Sequence, residues 1–169
     1  MNGKSKPYAI LVFGAPMSGK TTFAEQFSAK FNAPFLNFND LREQCRLTRK
    51  VALILIEQLA KCKKTLVIEG GLDTEKQRNE IRDILSRAGY NPVLIWVQTD
   101  LNAIKQRMRK KFHNVNDAKT ALEDSYRKIE APADYEDFLV ISGKHMFQTQ
   151  YKNVLVGLSE RNKRVKKII

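Results

Sequence analysis

The run GAPMSGKTT, Gly14 to Thr22, constrains this chain more than any other stretch. It follows YAILVF, a near-continuous apolar run of the kind a strand buried on both faces requires. It leads into KTTFAEQFSAKF, where Phe23, Phe27 and Phe31 recur every four residues and share one helix face. A strand, a glycine-bearing loop and a helix in direct succession form the start of a unit that builds parallel sheets.

The same alternation continues to the end of the chain. Pro34 breaks the first helix, and FLNFND reads as a short second strand ending at Asp40. DLREQCRLTRKVALILIEQLAKCKK is helical in two pieces, with Thr48 placed to cap the second and Val51, Leu53, Ile54, Leu55, Ile56 and Leu59 as its rich apolar face. TLVIEGG is a third strand. In DTEKQRNEIRDILSRAG, Thr74 and Gln77 fit a capping box and Gly89 marks the stop. PVLIWV is a fourth strand, LNAIKQRMRKKF a basic helix, NDAKTALEDSYRKI another helix opened by Asn116 or Asp117, and DFLVIS a fifth strand. The last helix is expected from near Phe147 to about Ser159. The reading is α/β: a three-layer fold with a five-stranded parallel sheet and helices on both faces. Ligands bind such sheets at the C-terminal edge of the strands, where Gly14, Asp40, Glu69, Asp100 and Ser142 are expected to meet.

With 169 residues, 43% of them apolar and 28% charged, the chain suits one globular domain with a real core. We expect that domain over residues 1–160, a lid around 105–130, and a basic tail over 161–169. No apolar run approaches the roughly 20 residues that cross a bilayer. The apolar start flows straight into the glycine loop and reads as a strand rather than a signal peptide. Cys45 and Cys62 lack metal or disulfide spacing and fit free thiols in a reducing cytoplasm. His113 and His145 read as surface or loop residues, and Trp96 as core.

Gly14-Ala15-Pro16-Met17-Ser18-Gly19-Lys20-Thr21 satisfies GxxxxGK[ST], between a strand and a helix as that motif demands. A loop that wraps a phosphate turns several backbone N–H groups inward, and the helix behind it adds the positive end of its dipole. Lys20 then sets a point charge on the β- and γ-phosphates, and the Thr21 hydroxyl is the expected Mg²⁺ ligand. Thr22 either touches the α-phosphate or only begins the helix. GxGxxG is absent, which argues against a dinucleotide site.

Across the expected cleft, Asp40 either orients or deprotonates an attacking hydroxyl, or it (or Asn39) caps the next helix. Arg42 and Arg46, four apart on that helix, are candidates for acceptor binding, as are Asp73 and Arg78. Glu69, at the end of LVIEGG, stands where a carboxylate holds Mg²⁺ through water or positions a nucleophile; Gly70 and Gly71 allow close approach. In DLNAIKQRMRKK, Arg107 and Lys111 share a helix face and either forms a closing cation for the transferred phosphoryl group or belongs to a solvated basic face.

With these stretches the chain resembles P-loop kinases of the nucleoside-monophosphate-kinase-like group. More narrowly, it resembles small ATP-binding proteins whose domain is shared with polynucleotide 5′-hydroxyl kinases, zeta toxins and chloramphenicol phosphotransferase. GAPMSGKTT, NFND, LVIEGGLDTEKQR, DLNAIKQRMRKK and HMFQTQ carry the likeness. The resemblance implies a P-loop NTPase fold with sheet order 2-3-1-4-5, ATP with Mg²⁺, and transfer of the γ-phosphoryl group to a hydroxyl or phosphate. It casts Asp40 as the acceptor-side carboxylate, Arg107 or Lys111 as the lid cation, and Ser142 to Lys144 as the rim of the adenine site. The chain departs from many relatives in having Glu69 where they carry aspartate.

Three functions remain open on sequence alone. They are a phosphotransferase acting on a small molecule, a nucleotide or a nucleic-acid 5′ end; a P-loop NTPase or binding module with no dedicated acceptor; and a nucleic-acid-binding protein. The net charge of +12 leans toward a phosphorylated or polyanionic partner. No NKxD run is present, and ATP over GTP rests on the resemblance.

Overall fold

The computed structural model describes residues 6–111, 120, 123 and 126–168. Five parallel strands form one sheet: β1 (Tyr8–Phe13), β2 (Phe35–Asn37), β3 (Leu66–Glu69), β4 (Asn91–Gln98) and β5 (Phe138–Ser142). Their order is β2-β3-β1-β4-β5. The helices are α1 (Lys20–Phe31), α2 (Phe38–Cys45), α3 (Arg49–Ala60), α4 (Glu75–Arg87), α5 (Leu101–Lys111) and α6 (Phe147–Ile168).

The central strand explains the layering. Residues 9–13 of β1 are all buried, because helices cover both faces. Ala9, Leu11 and Phe13 pack toward α3 and α4 with Ile56, Ile81 and Leu85. Ile10 and Val12 pack the other way, onto Phe23 and Phe27 of α1 and Val154 of α6. The phenylalanine stripe of α1 continues as a ladder of rings: Phe27 lies 4.7 Å from Phe31, and both meet Tyr151 of α6. Burying Phe23 and Phe27 contributes about 1.5–3 kcal/mol each.

Register brings the strand ends together. Val12 pairs with Glu69, Asn37 with Glu69, Phe13 with Trp96, and Gln98 with Ser142. The loop after Phe13 therefore emerges between the ends of β3 and β4.

Local signals set several boundaries. Thr48 caps α3, and Thr74 with Gln77 forms the complete capping box of α4. Other expectations are corrected. β2 stops at Asn37, and its side chain accepts from the N–H groups of Asn39 and Asp40, so Asn37 is the cap of α2 and neither Asn39 nor Asp40 is. α2 ends at Cys45 with Arg46 in the left-handed conformation, φ 52°, so Arg42 and Arg46 do not share a continuing helix face. Only one side of α3 meets the core; Val51 and Ile54 are exposed. α6 runs past Ser159 to Ile168, so the residues expected as a tail continue a helix. Most of the helix expected from Asn116 or Asp117, part of the expected lid, His113 and the Lys111 side chain lie outside the described residues. Thr120, Glu123 and residues 126–128 are helical.

Candidate functional site

The loop between β1 and α1 is shaped by positions that take up unusual backbone angles. Gly14 has φ 150°, and a Cβ there would lie 2.4 Å from the Val97 carbonyl oxygen. Gly19, φ 95°, stands at the N-cap of α1, and no side chain caps the helix. The first-turn N–H groups of α1 are thus left for a ligand, at the positive end of the helix dipole. Met17 adopts φ 62°, a left-handed angle that costs a side-chain-bearing residue about 1–3 kcal/mol unless its surroundings enforce it.

Those surroundings are visible. The Arg107 guanidinium on α5 donates to the Met17 carbonyl at 2.8 Å and to the Gly143 carbonyl at 2.9 Å. The Thr99 hydroxyl donates to the Ser18 carbonyl at 2.9 Å. Gly143 presses so closely that a Cβ there would lie 1.7 Å from the Ser18 carbonyl oxygen. The glycine loop is therefore clamped by α5 on one side and by the β5–α6 connection on the other. Thr99 was missed in the sequence because its partner is distant in the chain; Gly143 falls within the expected rim at Ser142 to Lys144, but its close approach to Ser18 has no local signal.

At the base of the loop, three side chains converge. Thr21 Oγ1 donates to Glu69 Oε1 at 2.6 Å, and Lys20 Nζ lies 4.0 Å from the same oxygen. Lys20 also reaches the Ala15 carbonyl at 3.5 Å. Glu69 Oε2 is buried without a hydrogen-bond partner among the described residues, as is Ser18 Oγ. Burial pulls the Lys20 ammonium below its ordinary range, against the charges of Glu69 and Asp73. Burial also pushes the Glu69 carboxyl up, against the Thr21 hydrogen bond and the Lys20 charge; the charges of Asp40 and Glu25 add to the rise.

This set fits a bound Mg²⁺–triphosphate. A hydroxyl and a carboxylate offer the hard oxygen ligands that Mg²⁺ takes, alone or through water. The buried, unpartnered Glu69 Oε2 is the atom that such a cation, or its water, would satisfy. Lys20 and the uncapped turn of α1 supply the positive field for phosphates.

The strained carboxylate has a measurable consequence. A carboxyl raised above its ordinary value of 4.5 binds a proton in the folded state that the unfolded chain has released. Its charged form therefore lowers stability once the pH exceeds that ordinary value, and the penalty is complete above the raised pKa. Glu69→Gln keeps an acceptor for Thr21 and removes the buried charge. Without ligand, the loss of melting temperature that this carboxylate causes as pH rises above its ordinary value is absent from the variant. If Glu69 holds Mg²⁺ beside a bound nucleotide, the same variant also loses any Mg²⁺ dependence of nucleotide affinity. Thermal melts with and without Mg²⁺ check both signs.

A cleft of about 570 Å³ opens beside the loop, lined by Lys20, Thr21, Thr22, Gln26, Arg107, His145 and Phe147 among others. His145, expected as an ordinary loop residue, thus stands on this cleft. Lys144 does not: its ammonium pairs with Asp100 at 2.7 Å, and it lines a separate cavity of about 650 Å³ over β4 and β5. Of the expected rim at Ser142 to Lys144, Gly143 lines the first cleft, while Ser142 and Lys144 line the second cavity, where the Asp100 carboxylate holds the Lys144 ammonium. The Lys144 hydrogen bond and the Ala103 N–H hold the Asp100 carboxyl below its usual range.

On the β3 side, Asp40 is exposed in the first turn of α2, where its Oδ2 accepts from Asn37 Nδ2 at 2.8 Å. Its charge is felt by Glu69. Asp73 is half-buried and its charge acts on Lys20. Arg42 is exposed and donates to Asn39 Oδ1 at 3.3 Å.

Arg78 is corrected from an acceptor-binding candidate to a structural hub. It is 0% exposed. Its guanidinium donates to both Glu136 carboxylate oxygens, at 2.8 and 2.9 Å, and to the carbonyls of Leu72, Asp73, Glu130 and Ala131. It also lies over the Phe13 ring at 5.2 Å. Glu136 had no signal in the sequence that marked it as this partner.

A parallel sheet in the order 2-3-1-4-5, with a GxxxxGK[ST] loop between its central strand and the first helix, defines a P-loop kinase-like fold. The chain belongs to the AAA domain family, whose profile matches residues 10–132. No curated protein matches the sequence. Solved structures share the architecture at low identity. A gluconokinase from Sinorhizobium meliloti 1021 is 16% identical, with TM-score 0.69 over 96% of this chain and 98% of that one. A sugar kinase from Janibacter sp. HTCC2649 is 17% identical, with TM-score 0.67 over 91% and 95%. The Mycobacterium tuberculosis APS kinase, in complex with AMPPNP and APS, is 15% identical, with TM-score 0.65 over 92% and 99%.

Proposed function

We propose that the protein is a Mg·ATP-dependent kinase that transfers the γ-phosphoryl group to a hydroxyl or phosphate acceptor. The observation that carries this reading is the shared position of Lys20 and Glu69. Both belong to the nucleotide side through Thr21 and the uncapped turn of α1, and both feel carboxylates of the opposite side, Asp73 and Asp40. Those carboxylates stand across the end of β3 from the loop, where an acceptor hydroxyl would meet them.

In this reading Lys20 and the α1 N–H groups bind the phosphates. Thr21 and Glu69 hold Mg²⁺, which neutralises charge on the transferred group. Arg107, fastened to the Met17 and Gly143 carbonyls, keeps the loop in shape and lines the cleft as its closing cation. Gly143 and His145 border the base of the nucleotide. Asp40 orients the acceptor hydroxyl and receives its proton. Residues 105–130 form the lid in this scheme. Both cysteines are exposed, which suits a reducing cytoplasm.

Asp40→Asn tests the acceptor half by itself. General-base catalysis contributes about 10²–10⁴ in rate, so transfer falls by that order while ATP affinity stays near that of the parent protein. A screen with γ-labelled ATP, paired with calorimetric ATP binding, reads both. Full transfer by the variant would leave Asp40 no part in the reaction.

A further inference from the structure

Three arginines packed beside the end of β3 are already engaged among the described residues. Arg78 is wholly buried on Glu136 and four backbone carbonyls. Arg82 lies 3.6 Å from the same carboxylate. Arg49 donates to Glu80 and to the carbonyls of Gly71 and Gln77. Lys20 belongs to the nucleotide phosphates in the reading above. Beside them the end of β3 carries the acidic or neutral Asp40, Asp73, Glu69 and Asn39, with Arg42 exposed at the outer rim.

We infer, on the reading that this site transfers phosphoryl groups, that its acceptor is a small polyhydroxyl compound without an anionic group, a neutral or aminated polyol or sugar.

The chemistry of the floor supports this class. Asp40 uses Oδ2 on Asn37, and its Oδ1 has no partner among the described residues. A hydroxyl or an ammonium can donate to that oxygen; a phosphate or carboxylate is repelled by it. Asn39 packs against the backbone of Gly70, where an added Cβ would lie 3.1 Å from its amide. A side-chain amide donates and accepts, as hydroxyls require. Arg42 stands exposed, and among the described residues its guanidinium is held only by Asn39. The net charge of +12 leans toward an anionic partner, but much of it is elsewhere. Lys105, Arg109 and Lys110 are exposed on α5, and charge spread over a surface steers encounter rather than recognising an acceptor.

The test uses the full chain with γ-labelled ATP and Mg²⁺, and acceptors in matched sets. These are a polyol or hexose, the corresponding amino sugar, the corresponding sugar phosphate and sugar acid, a nucleoside monophosphate, and a 5′-hydroxyl oligonucleotide. The expected result is labelling of neutral or aminated members, with kcat/KM at least about tenfold above their anionic counterparts. Asp73→Asn is then expected to raise KM for the amino sugar more than for the neutral sugar if the aminated member is preferred, and equally for both if it is not. Preferred labelling of an anionic member, with its KM raised by Arg42→Gln, overturns the inference and leaves the kinase reading standing. Bound ATP with no acceptor labelled in any set overturns both.

Discussion

Lys20→Ala is expected to lower the affinity for Mg·ATP by two to three orders of magnitude, about 3–4 kcal/mol. The size follows from where the ammonium sits. Lys20 is largely removed from water and lies 4.0 Å from Glu69, so its attraction for a phosphate is weakly screened. Truncation also leaves the Glu69 carboxylate buried without its cation, facing the incoming triphosphate. A solvated surface lysine contributes far less, within about 1 kcal/mol. Calorimetric titration measures the difference, and unchanged affinity would remove Lys20 from the site. The fold itself survives the change, because the loop is clamped by Arg107, Thr99 and Gly143 rather than by Lys20.

The second large effect is on stability. Arg78→Ala and Glu136→Ala are each expected to destabilise the protein by about 3–5 kcal/mol, because each leaves a buried charge without its partner. Against a total of about 5–15 kcal/mol this is a severe loss. The melting temperature falls by roughly 6–20 °C at 2–4 °C per kcal/mol. The double change Arg78→Met with Glu136→Leu removes both charges and costs less than the sum of the singles. Burial alone would raise the Glu136 carboxyl. The Arg78 hydrogen bonds, the Ala133 N–H and the charges of Arg78 and Arg82 outweigh burial and hold it below its ordinary 4.5. A depressed carboxyl stabilises the fold above that value and loses its contribution as pH falls through the lowered pKa. Acid melts of the parent protein therefore show a loss below about pH 4.5 that Glu136→Gln blunts.

This hub also shows where sequence reasoning stops. Arg78 follows LVIEGGLDTEKQ and looks like an acceptor-side arginine by order along the chain. Its partner Glu136 is 58 residues away, and no local pattern joins them. The pairing of Lys144 with Asp100 and the grip of Arg107 on Met17 and Gly143 are hidden for the same reason. Each depends on how strands stack, not on spacing. By contrast, the glycine loop, the Thr48 cap and the Thr74–Gln77 box are written within a few residues of one another, so they could be read directly. α2 lies between these cases. Asn37, Asn39 and Asp40 are all plausible caps, and β2 ending three residues early decides for Asn37. That choice frees Asp40 from a capping role and leaves its Oδ1 open.

The alternation of apolar runs with helical stripes was enough to place Gly14, Glu69 and Asp40 at one sheet edge. It could not say which charges there are already paired. That distinction separates Glu69, one of whose carboxylate oxygens is buried without a partner among the described residues, from Arg78, whose guanidinium is spent on holding the fold.

The measurement that bears most directly on the account is a calorimetric titration of the parent protein with a non-hydrolysable ATP analogue, with and without Mg²⁺. The account predicts one site per chain, tighter with Mg²⁺, with that Mg²⁺ dependence lost in Glu69→Gln and the affinity lowered by about two to three orders of magnitude in Lys20→Ala. Absence of binding to the parent protein, or binding undiminished in Lys20→Ala, would contradict it.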